Sequence, residues 1–555
     1  MLIALRELLL SLTETEQLQH THFIILYVNN KGGDIEMTIE EAVSRGVASA
    51  IYADRWPDRV AIRDAQSHRT FKALHENANR LAQVFSDAGL RPGDGIALLC
   101  GNRCEFIETF LASQRTGLRL TPVNWHLSGA EAAYIVEDCE ARAIVAESRF
   151  LNAEWIGNLS SLHVKLSVGG ASAGCDDYDA ALAALAASSA SELASPAHGT
   201  IMLYTSGTTG RPKGVMRRLP EPVGPQLAGS FSDFDPETDV QLCCGPAYHA
   251  APLLFDIRWP LASGVRIELL DGWDSRRVLE TIAREKVTHA HMVPIMFQRL
   301  LALPKAERDQ FDVRSLRKIF HGAAPCPPDV KRAMIDWFGP VLHEYYAGSE
   351  GGAGIHITSQ EWLEKPGSVG RIPSDGSVRI LDETGAQAAQ GVDGTIYHVA
   401  DANNPFEYFK APEKTAAQSR EGYFTLGDIG HVDKDGFLFL TGRSAECIIS
   451  GGVNIYPQEI DDAIARHPGV ADVCSIGAPN AEWGEEVRAV IQLKDGFIAS
   501  DTLAAEILKT AAETLARFKQ PRGIDFVNEL PRLPSGKIQR ERVRARYWAG
   551  REKKI

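Results

Sequence analysis

The chain has no apolar run long enough to cross a membrane. The segment from Leu2 to Leu12 is interrupted by an arginine and a glutamate, and the run from Phe23 to Val28 is shorter still. A membrane-spanning helix needs about 20 consecutive apolar residues. Stable insertion into a bilayer is therefore not expected. Residues 1–36 are interpreted as an extension, or as a mis-assigned start ahead of Met37.

The cysteines lack metal-binding spacing, and the chain lacks a net positive charge. Each absence excludes a class of protein. The nine cysteines include no Cys-x-x-Cys pair and no Cys/His cluster with zinc spacing. They are expected to be free thiols in a reducing cytoplasm. The net charge is −14, whereas nucleic-acid-binding proteins usually present a basic face. Neither a structural zinc site nor a nucleic-acid partner is expected.

Helical and strand patterns alternate along most of the chain. Lys72 to Ala88 has apolar residues at helical spacing and stops at Gly89, and Phe106 to Gln114 repeats the pattern. Ile96 to Cys100 has the composition of a short buried strand between them. Such alternation predicts a parallel sheet covered by helices. We therefore expect a large α/β N-terminal domain over residues 37–442.

The pattern becomes shorter beyond residue 442. It predicts two helices and three strands, at Pro457–Arg466, Val470–Ile476, Val487–Leu493, Asp501–Arg517 and Ile524–Val527. A chain of 555 residues exceeds what one hydrophobic core usually supports. A second, small α+β domain is therefore expected over residues 443–555.

The strongest motif is a loop rich in glycine and hydroxyl residues. It runs Leu203-Tyr204-Thr205-Ser206-Gly207-Thr208-Thr209-Gly210-Arg211-Pro212-Lys213-Gly214-Val215. Its glycines, hydroxyls and N–H groups can wrap phosphate oxygens. Pro212 before the lysine and Gly214 after it exclude a Walker A loop. As an isolated cluster, the loop is as consistent with an ordinary surface turn.

The complete string resembles the signature loop of the adenylate-forming superfamily, which includes acyl- and aryl-CoA synthetases, peptide-synthetase adenylation domains and beetle luciferases. The resemblance covers roughly residues 40–545, with further motifs in the family's order. It implies layered sheets in the large domain, a mobile C-terminal domain, and the use of ATP, Mg²⁺ and coenzyme A. The residues that it implies for phosphate binding are Thr205, Ser206, Gly207, Thr208, Thr209, Gly210 and Lys213.

Two motifs resemble the walls of the family's nucleotide site. His321-Gly322-Ala323-Ala324-Pro325 resembles the segment that lines the adenine and acyl pockets. Tyr345-Tyr346-Ala347-Gly348-Ser349-Glu350 resembles the Tyr-Gly-x-Thr-Glu motif, which implies that Tyr346 stacks on adenine, Ser349 contacts phosphate and Glu350 holds magnesium. Ala347 replaces the usual glycine, which leaves the local shape open. Without these neighbours, Glu350 would be taken as an ordinary exposed carboxylate.

The remaining motifs resemble parts of the ribose site, the hinge and the mobile domain. Asp428 and Arg443 match the two ribose contacts, and Glu446 matches the hinge acid, although alanine precedes it in place of lysine. The paired glycines Gly451 and Gly452 resemble the loop that lines the coenzyme A tunnel. Lys537, after Pro-Ser-Gly, resembles the lysine that enters the active site for adenylation.

The substrate is expected to be a hydrophobic acid. His249 resembles a gate between the acyl pocket and the thiol channel, with a packed histidine as the alternative, and the residues after it are apolar. The resemblance thus implies an ATP-dependent acid–CoA ligase for a medium- or long-chain, steroid side-chain or arylalkanoic acid. An enzyme that delivers the acyl group to a separate carrier protein is the alternative, and an inactive binding protein is a second. The oligomeric state stays open, a homodimer included.

Overall fold

The computed structural model describes most of the chain beyond its N-terminal extension. The described ranges are 39–151, 159–172, 174–185, 196–205, 212–223, 233–373, 376–382, 384–443, 446–450, 453–480, 483–515, 517–533 and 536–549. Residues 1–36 lie outside them. Among the described residues, no helix combines the length and the apolar character that crossing a membrane requires.

Strands in the described ranges form four sheets. In chain order they are β1 Val60–Arg63, β2 His68–Thr70, β3 Gly95–Leu99, β4 Arg119–Pro122, β5 Ala141–Glu147, β6 Val164–Val168, β7 Asp176–Asp177, β8 Thr200–Thr205, β9 Lys213–Arg217, β10 Val240–Cys243, β11 Arg266–Leu269, β12 His289–Met292, β13 Lys318–His321, β14 Leu342–Gly348, β15 Gly351–Thr358, β16 Ser368–Arg371, β17 Val378–Leu381, β18 Gly394–Val399, β19 Phe406–Tyr408, β20 Ser419–Arg420, β21 Tyr423–Val432, β22 Phe437–Arg443, β23 Ile448–Ser450, β24 Val453–Ile455, β25 Val470–Asn480, β26 Gly484–Leu493 and β27 Gly523–Val527.

The helices lie between these strands. In chain order they are α1 Ile39–Ser44, α2 Ser49–Arg55, α3 Phe71–Asp87, α4 Cys104–Thr116, α5 Gly129–Asp138, α6 Tyr178–Ala183, α7 Trp259–Ala262, α8 Ser275–Glu285, α9 Pro294–Leu301, α10 Lys305–Arg308, α11 Pro328–Phe338, α12 Ser359–Glu364, α13 Pro412–Gln418, α14 Pro457–Ile464, α15 Asp501–Ala512 and α16 Arg540–Trp548. A π-helix, Pro252–Arg258, runs directly into α7, and 3₁₀ turns span Ser148–Phe150 and Arg517–Lys519.

Two large sheets have parallel centres, as the alternating pattern predicts. The first has the order β15-β14-β13-β12-β10-β11-β1-β2, with antiparallel pairing at both ends only. The second has the order β19-β9-β8-β4-β3-β5-β6-β7, and its antiparallel part is the β8–β9–β19 edge. The parallel pairing in these sheets places the carboxyl ends of several strands along common edges. Such edges are where ligands bind in open α/β sheets.

A third sheet is antiparallel and was not expected from the sequence. It has the order β16-β22-β21-β18-β17, with β20 paired to β21. Its strands lie within residues 368–443, but β16 pairs with β22 and β18 pairs with β21 across intervening segments, so local periodicity does not reveal the sheet. The sheet matters for the site because β21 carries Asp428 and β22 ends at Arg443.

The sequence explains well where α3 and α4 begin and end. Thr70 caps α3 by accepting a hydrogen bond from the backbone N–H of Ala73, and the apolar face of α3 is wholly buried. Gly117 ends α4 in the left-handed conformation, with φ 70°. Both helices were predicted within two residues at most of their ends. They form the principal core together with the first two sheets.

The last part of the chain forms a separate small core. Its sheet has the order β24-β23-β26-β25, with β27 added in parallel to β26. Helices α14 and α15 pack on this sheet through buried side chains such as Ile460, Ile464 and Ile507. The predicted small α+β domain is confirmed in its elements.

Candidate active site

Residues that the sequence singled out lie at the carboxyl ends of neighbouring strands. Gly322 follows β13, Glu350 follows β14, and the segment with His249 follows β10 in the first sheet. In the second sheet, β8 ends at Thr205, at the start of the glycine-rich loop. The fold therefore brings four separate sequence motifs to one side of the large domain.

The glycine-rich loop connects two antiparallel strands. Thr205 at the end of β8 is paired with Lys213 at the start of β9, so both residues stand at the mouth of the loop. Ser206, Gly207, Thr208, Thr209 and Gly210 lie outside the described residues. Burial, and then the neighbouring Lys414, lower the pKa of Lys213. The described ends place a hydroxyl and a lysine side by side, which suits an anionic ligand.

Glu350 is held by a tyrosine that the sequence analysis missed. The Tyr408 hydroxyl donates to Glu350 Oε1 at 2.7 Å. Lys213 Nζ lies 5.3 Å from the centre of the same tyrosine ring. Burial, and then the Glu350 charge, raise the pKa of Tyr408, so the hydroxyl remains a donor. Tyr408 thus connects the two residues predicted for magnesium and phosphate.

Arg217 fixes the backbone of the same residue, Glu350. Its Nη2 atom donates to the carbonyl oxygen of Glu350 at 2.9 Å, and Nη1 donates to the carbonyl oxygen of Asn404 at 3.0 Å. Arg217 ends β9, and Tyr408 ends β19, the strand that pairs with β9. No motif in the sequence marked either residue, because that pairing joins distant segments.

Tyr346 and the proposed ribose acid are in direct contact. The Tyr346 hydroxyl donates to Asp428 Oδ2 at 2.7 Å, and both residues are buried. Asp428 in β21 is the register partner of Arg443 in β22. The two predicted ribose contacts are therefore neighbours, with the predicted adenine-stacking tyrosine beside them.

The His321–Pro325 segment is shaped by its neighbour strand. A methyl group added to Gly322 would come within 2.6 Å of the carbonyl oxygen of Tyr345 and 2.8 Å of its ring. Ala323 has φ 64°, a left-handed conformation that non-glycine residues seldom adopt. Such backbones cluster at functional sites. Ala324 follows in the same turn.

The unusual Ala347 is accommodated by a glycine opposite. Ala347 lies in β14 and is exposed, and its φ is not positive. A methyl group added to Gly352 would come within 2.9 Å of Ala347 Cβ. Ser349 and Glu350 follow in the turn between β14 and β15. The substitution therefore leaves the strand geometry of the motif intact.

His249 is a neutral histidine at the inner end of a row of aromatic rings. Burial lowers its pKa to about 4. Its Nε2 atom is inaccessible and has no hydrogen-bond partner among the described residues. The His249 ring lies 4.5 Å from that of Tyr248. The Tyr248 hydroxyl is also inaccessible and has no hydrogen-bond partner among the described residues. Buried polar atoms normally have partners, so this pair is available to a ligand.

An aromatic cluster, consisting of Phe255, Trp259, His291, Phe320 and Tyr345, lies between His249 and the Gly322 turn. The Phe255 ring lies 4.7–5.6 Å from those of the other four. The Tyr345 hydroxyl and His291 Nε2 are 3.1 Å apart, which adds one polar contact. Phe255 belongs to the π-helix, an irregularity frequent at functional sites.

Asp256, next to Phe255, is fully buried and is bonded within the protein. Burial raises the pKa of its carboxyl group well above the ordinary value. Its Oδ1 accepts from Gln241 Nε2 at 2.6 Å and from the backbone N–H of His291 at 2.9 Å. Met292 and Phe297, from the apolar run that ends β12 and begins α9, pack fully into the core.

The segment that carries Lys537 lies against the large domain. Backbone bonds between Leu533 and Lys537 close it into a tight hairpin, and Arg532 donates to the carbonyl of Gly536. A methyl group added to Gly536 would come within 2.3 Å of Ile295 Cγ2. The lysine is thus presented beside α9, at the border of the large domain. Gly451 and Gly452 lie outside the described residues.

Comparison with known families agrees with this geometry. A family model described as AMP-binding enzyme matches residues 50–402, and one described as AMP-binding enzyme C-terminal domain matches residues 459–537. The chain belongs to the AMP-binding enzyme family. The large domain and the small C-terminal domain of the adenylate-forming fold are therefore both present.

Similar AMP-binding enzymes differ in the acids that their names specify. Feruloyl-CoA synthase of Amycolatopsis sp is 31% identical over 497 residues, covering 88% of this chain and 96% of that one. The medium/long-chain-fatty-acid–CoA ligase FadD8 of Mycobacterium tuberculosis is 29% identical over 494 residues, covering 86% and 85%. The structure of ATP-bound MatB from Rhodopseudomonas palustris superposes with TM-score 0.77 at 28% identity, covering 90% and 99%.

This AMP-binding enzyme is an ATP-dependent, AMP-forming acid–CoA ligase that works through an acyl-adenylate. Its substrates are a carboxylic acid, ATP and coenzyme A, and Mg²⁺ is its metal cofactor. Glu350 fits that ion, because Mg²⁺ is usually bound by one or two carboxylates together with substrate phosphates. Held by Glu350, the ion would supply positive charge to neutralise the phosphate oxygens.

Proposed function

We propose that this ligase activates a hydrophobic carboxylic acid, and that an arylalkanoic acid is its preferred substrate. Medium- or long-chain fatty acids and steroid side-chain acids are the other hydrophobic classes considered. The observation that carries the proposal is the aromatic cluster between His249 and Gly322. Stacked or tilted ring pairs contribute about 0.5–1.5 kcal/mol beyond area burial. An aryl ring therefore gains contacts there that an alkyl chain lacks.

The position of Asp256 supports the same substrate class. Enzymes that select amino acids need a fixed charge for the ammonium group, because burying an unpaired charge is costly. Asp256 is fully buried, and its Oδ1 atom already accepts two hydrogen bonds from the protein. The Tyr345–His291 contact is the polar feature of the cluster and suits a hydroxyl or ether substituent on a ring.

In the first half-reaction, a substrate carboxylate oxygen attacks the α-phosphorus of ATP and pyrophosphate leaves. The chain needs no nucleophile for this step, only positioning and charge neutralisation. Lys213 and Thr205 contact phosphate at the mouth of the loop, together with the loop residues 206–210. Glu350 would hold the metal, oriented by its hydrogen bond from Tyr408. Lys537 bridges the carboxylate and the α-phosphate as negative charge develops.

The nucleotide is held by the second cluster of the site. Tyr346 packs on adenine, Ser349 contacts phosphate, and Asp428 with Arg443 binds the ribose hydroxyls. A carboxylate suits a diol because it offers several acceptor positions. The pairing of Asp428 with Arg443 across two strands supports this assignment.

In the second half-reaction, the thiol of coenzyme A attacks the acyl carbon and AMP leaves. The domain of residues 443–555 rotates about Glu446, so that Lys537 withdraws and the Gly451–Gly452 loop takes its place. His249 separates the acyl pocket from the thiol channel. Because His249 is neutral at pH 7, it does not attract the substrate carboxylate as a cation would.

Two features outside the site complete the proposal. All nine cysteines are free thiols, which supports a location in the reducing cytoplasm.

Residues 1–36 are proposed to be dispensable, since the family model begins at residue 50. A protein that begins at Met37 should keep its kcat/KM and Tm, and a large fall in either would show that the segment supports the fold.

Kinetics on a series of acids test the substrate directly. We expect kcat/KM to rise from acetate to octanoate, since each buried methylene contributes about 0.8 kcal/mol. An arylpropionate should exceed the straight-chain acid of equal carbon number. Preference for palmitate or a bile-type acid would refute the aryl preference, and preference for acetate or an amino acid would refute the hydrophobic substrate altogether.

A matched pair of variants locates the preference. Phe255→Leu should lower the ratio of arylpropionate to alkanoate kcat/KM by about threefold or more, because it removes a ring contact. Phe338→Leu changes an equally buried phenylalanine at the end of α11, in another core cluster, and should leave that ratio unchanged. Equal ratios in both variants would show that the aromatic cluster does not bind the acid.

A further inference from the structure

Helix α5 contacts the base of the glycine-rich loop on both of its sides. The hydroxyl of Tyr204, near the end of β8, donates to Asp138 Oδ2 at 2.5 Å. The hydroxyl of Tyr134 donates to the carbonyl oxygen of Pro212, just before β9, at 3.4 Å. Tyr134 and Asp138 lie about one turn apart on α5. One helix therefore holds the chain where it enters the loop and where it leaves it.

The strand next to β9 is joined to the same end of α5. The Lys410 Nζ atom donates to the carbonyl oxygen of Asp138 at 2.8 Å and pairs with Glu140 at 3.1 Å. Two residues earlier, Tyr408 ends β19 and donates to Glu350. Asp138 is thus connected both to the strand that leads into the loop and to the strand that orients the proposed metal ligand.

The bond between Tyr204 and Asp138 is the stronger of the two contacts that α5 makes with the loop. Its acceptor is a carboxylate, and hydrogen bonds to charged acceptors are shorter and stronger than neutral ones. Burial, and then the bond to Asp138, raise the pKa of Tyr204, so the hydroxyl stays protonated and donates. The Tyr204 ring packs against the core cluster to which α5 contributes Ala132, Ile135 and Val136. The end of β8 is therefore fixed on α5 by apolar packing and by one charged hydrogen bond.

We propose that Asp138 is a positioning residue for ATP, which holds the phosphate-binding end of β8 in place through Tyr204. The proposal rests on the phosphate-binding role proposed above for Thr205 and Lys213. Those two residues are register partners across β8 and β9, so a shift of β8 at Tyr204 displaces both. Hydrogen bonds weaken steeply when they are misaligned, so a displaced loop binds the triphosphate less well.

Two assays of the full-length protein separate positioning from general damage to the fold. Acid-dependent ATP–pyrophosphate exchange requires the loop to bind the triphosphate. Transfer of the acyl group from a supplied acyl-adenylate to coenzyme A involves no β- or γ-phosphate, so it makes less use of the loop. A loss of folded enzyme lowers both rates by one factor and leaves the KM for MgATP unchanged. Both assays use the acid with the highest kcat/KM in the series above.

Tyr204→Phe should raise the KM for MgATP in the exchange assay about fivefold or more, because it deletes a hydrogen bond to a charged group at the base of the loop. Asp138→Ala should have the same effect, and the double variant no larger one, because both changes remove one contact. Asp138→Asn keeps an acceptor for the hydroxyl and should be closer to the wild type. Acyl transfer should stay near the wild-type rate in all of these variants.

Tyr178→Phe is the matched control. The Tyr178 hydroxyl donates to Glu108 Oε2 at 2.8 Å, in a second buried pair of a tyrosine and a carboxylate. That pair joins α6 to α4 near β7, at the opposite edge of the sheet from β8 and β9. Its loss should lower the Tm and leave the KM for MgATP unchanged.

Other outcomes would overturn the proposal. If Tyr204→Phe keeps the wild-type KM for MgATP, or if exchange and transfer fall by one factor, Asp138 has a structural role alone. Additive effects in the double variant would show that Tyr204 and Asp138 act separately. Lys213→Ala is the reference: if it leaves the KM for MgATP unchanged, the phosphate-binding role proposed for the loop has failed. If Lys213→Ala raises that KM and Tyr204→Phe does not, the role of Asp138 alone is refuted.

Discussion

At the scale of single residues, the account depends on side chains that orient the charged groups. Glu350 receives a hydrogen bond from Tyr408, and its backbone carbonyl receives another from Arg217. Because Glu350 is held at both its side chain and its backbone, its second carboxylate oxygen can point in one fixed direction. Pre-organisation of this kind supplies much of the rate in reactions that build up charge.

Tyr408→Phe tests that orientation. Removing the hydroxyl deletes a hydrogen bond to a charged group, which is worth about 1.5–3 kcal/mol. We expect kcat/KM for MgATP to fall about tenfold or more, with Tm little changed. Tyr423→Phe is the control, since it removes an exposed 2.7 Å bond to the carbonyl of Gly376. Equal, small losses in both variants would contradict the role of Tyr408.

Residues with short motifs around them could be predicted from the sequence, whereas their supports could not. Glu350, Asp428 and Lys537 lie in short sequence motifs that resemble those of the family. Tyr408 and Arg217 act through a strand pairing between distant segments, and nothing local distinguishes them from core residues. The aromatic cluster was only partly foreseen: Phe255 lies in the apolar stretch that follows His249, whereas nothing in the sequence marked His291, Phe320 or Tyr345 as part of an acid pocket.

At the scale of elements, two hairpins carry the reactive lysines. The β8–β9 hairpin places Lys213 opposite Thr205, and the hairpin at residues 532–538 places Lys537 beside α9. Backbone pairing therefore fixes the main chain at each lysine, and only the lysine side chain can move. A mobile domain can withdraw the second lysine as a unit without disturbing the first.

Lys537→Ala tests the role of the second hairpin. The variant should lose adenylation about 100-fold or more, as for other single preorganised contacts at a transition state. Transfer from a supplied acyl-adenylate to coenzyme A should stay near the wild-type rate. Equal loss in both half-reactions would contradict rotation of the small domain.

Elements with strong local periodicity were also the ones that the sequence predicted well. Lys72–Ala88 was expected as a helix, and Phe71–Asp87 is one. The antiparallel third sheet was not expected, because the pairings of β16 with β22 and of β18 with β21 cross intervening segments. The π-helix at Pro252–Arg258 was also missed, since its apolar sequence resembles any buried helix.

At the scale of the whole molecule, buried histidines link stability to pH. Burial is the main cause that lowers their pKa values to about 3 or about 4, and they are His75, His249, His291, His343 and His398. An unfolded histidine has a pKa of about 6.5. Between these values the unfolded chain binds more protons, so stability is full above about pH 6.5 and falls as the pH drops towards 4.

The Tm should therefore fall by about 5 °C or more between pH 7 and pH 5. His343→Gln should flatten that dependence, because it removes one buried site of proton uptake. His356→Gln, at an exposed position, should not. A Tm that is constant over this range, or that rises on acidification, would contradict the buried neutral histidines.

The central claim is that the whole molecule couples two half-reactions through an acyl-adenylate. Its most direct test is to follow the nucleotide and the thioester together, with a hydrophobic acid, ATP, Mg²⁺ and coenzyme A. The account predicts one AMP and one pyrophosphate for each acyl-CoA formed, and acid-dependent ATP–pyrophosphate exchange when coenzyme A is omitted. Formation of ADP and phosphate, or the absence of exchange without coenzyme A, would contradict it.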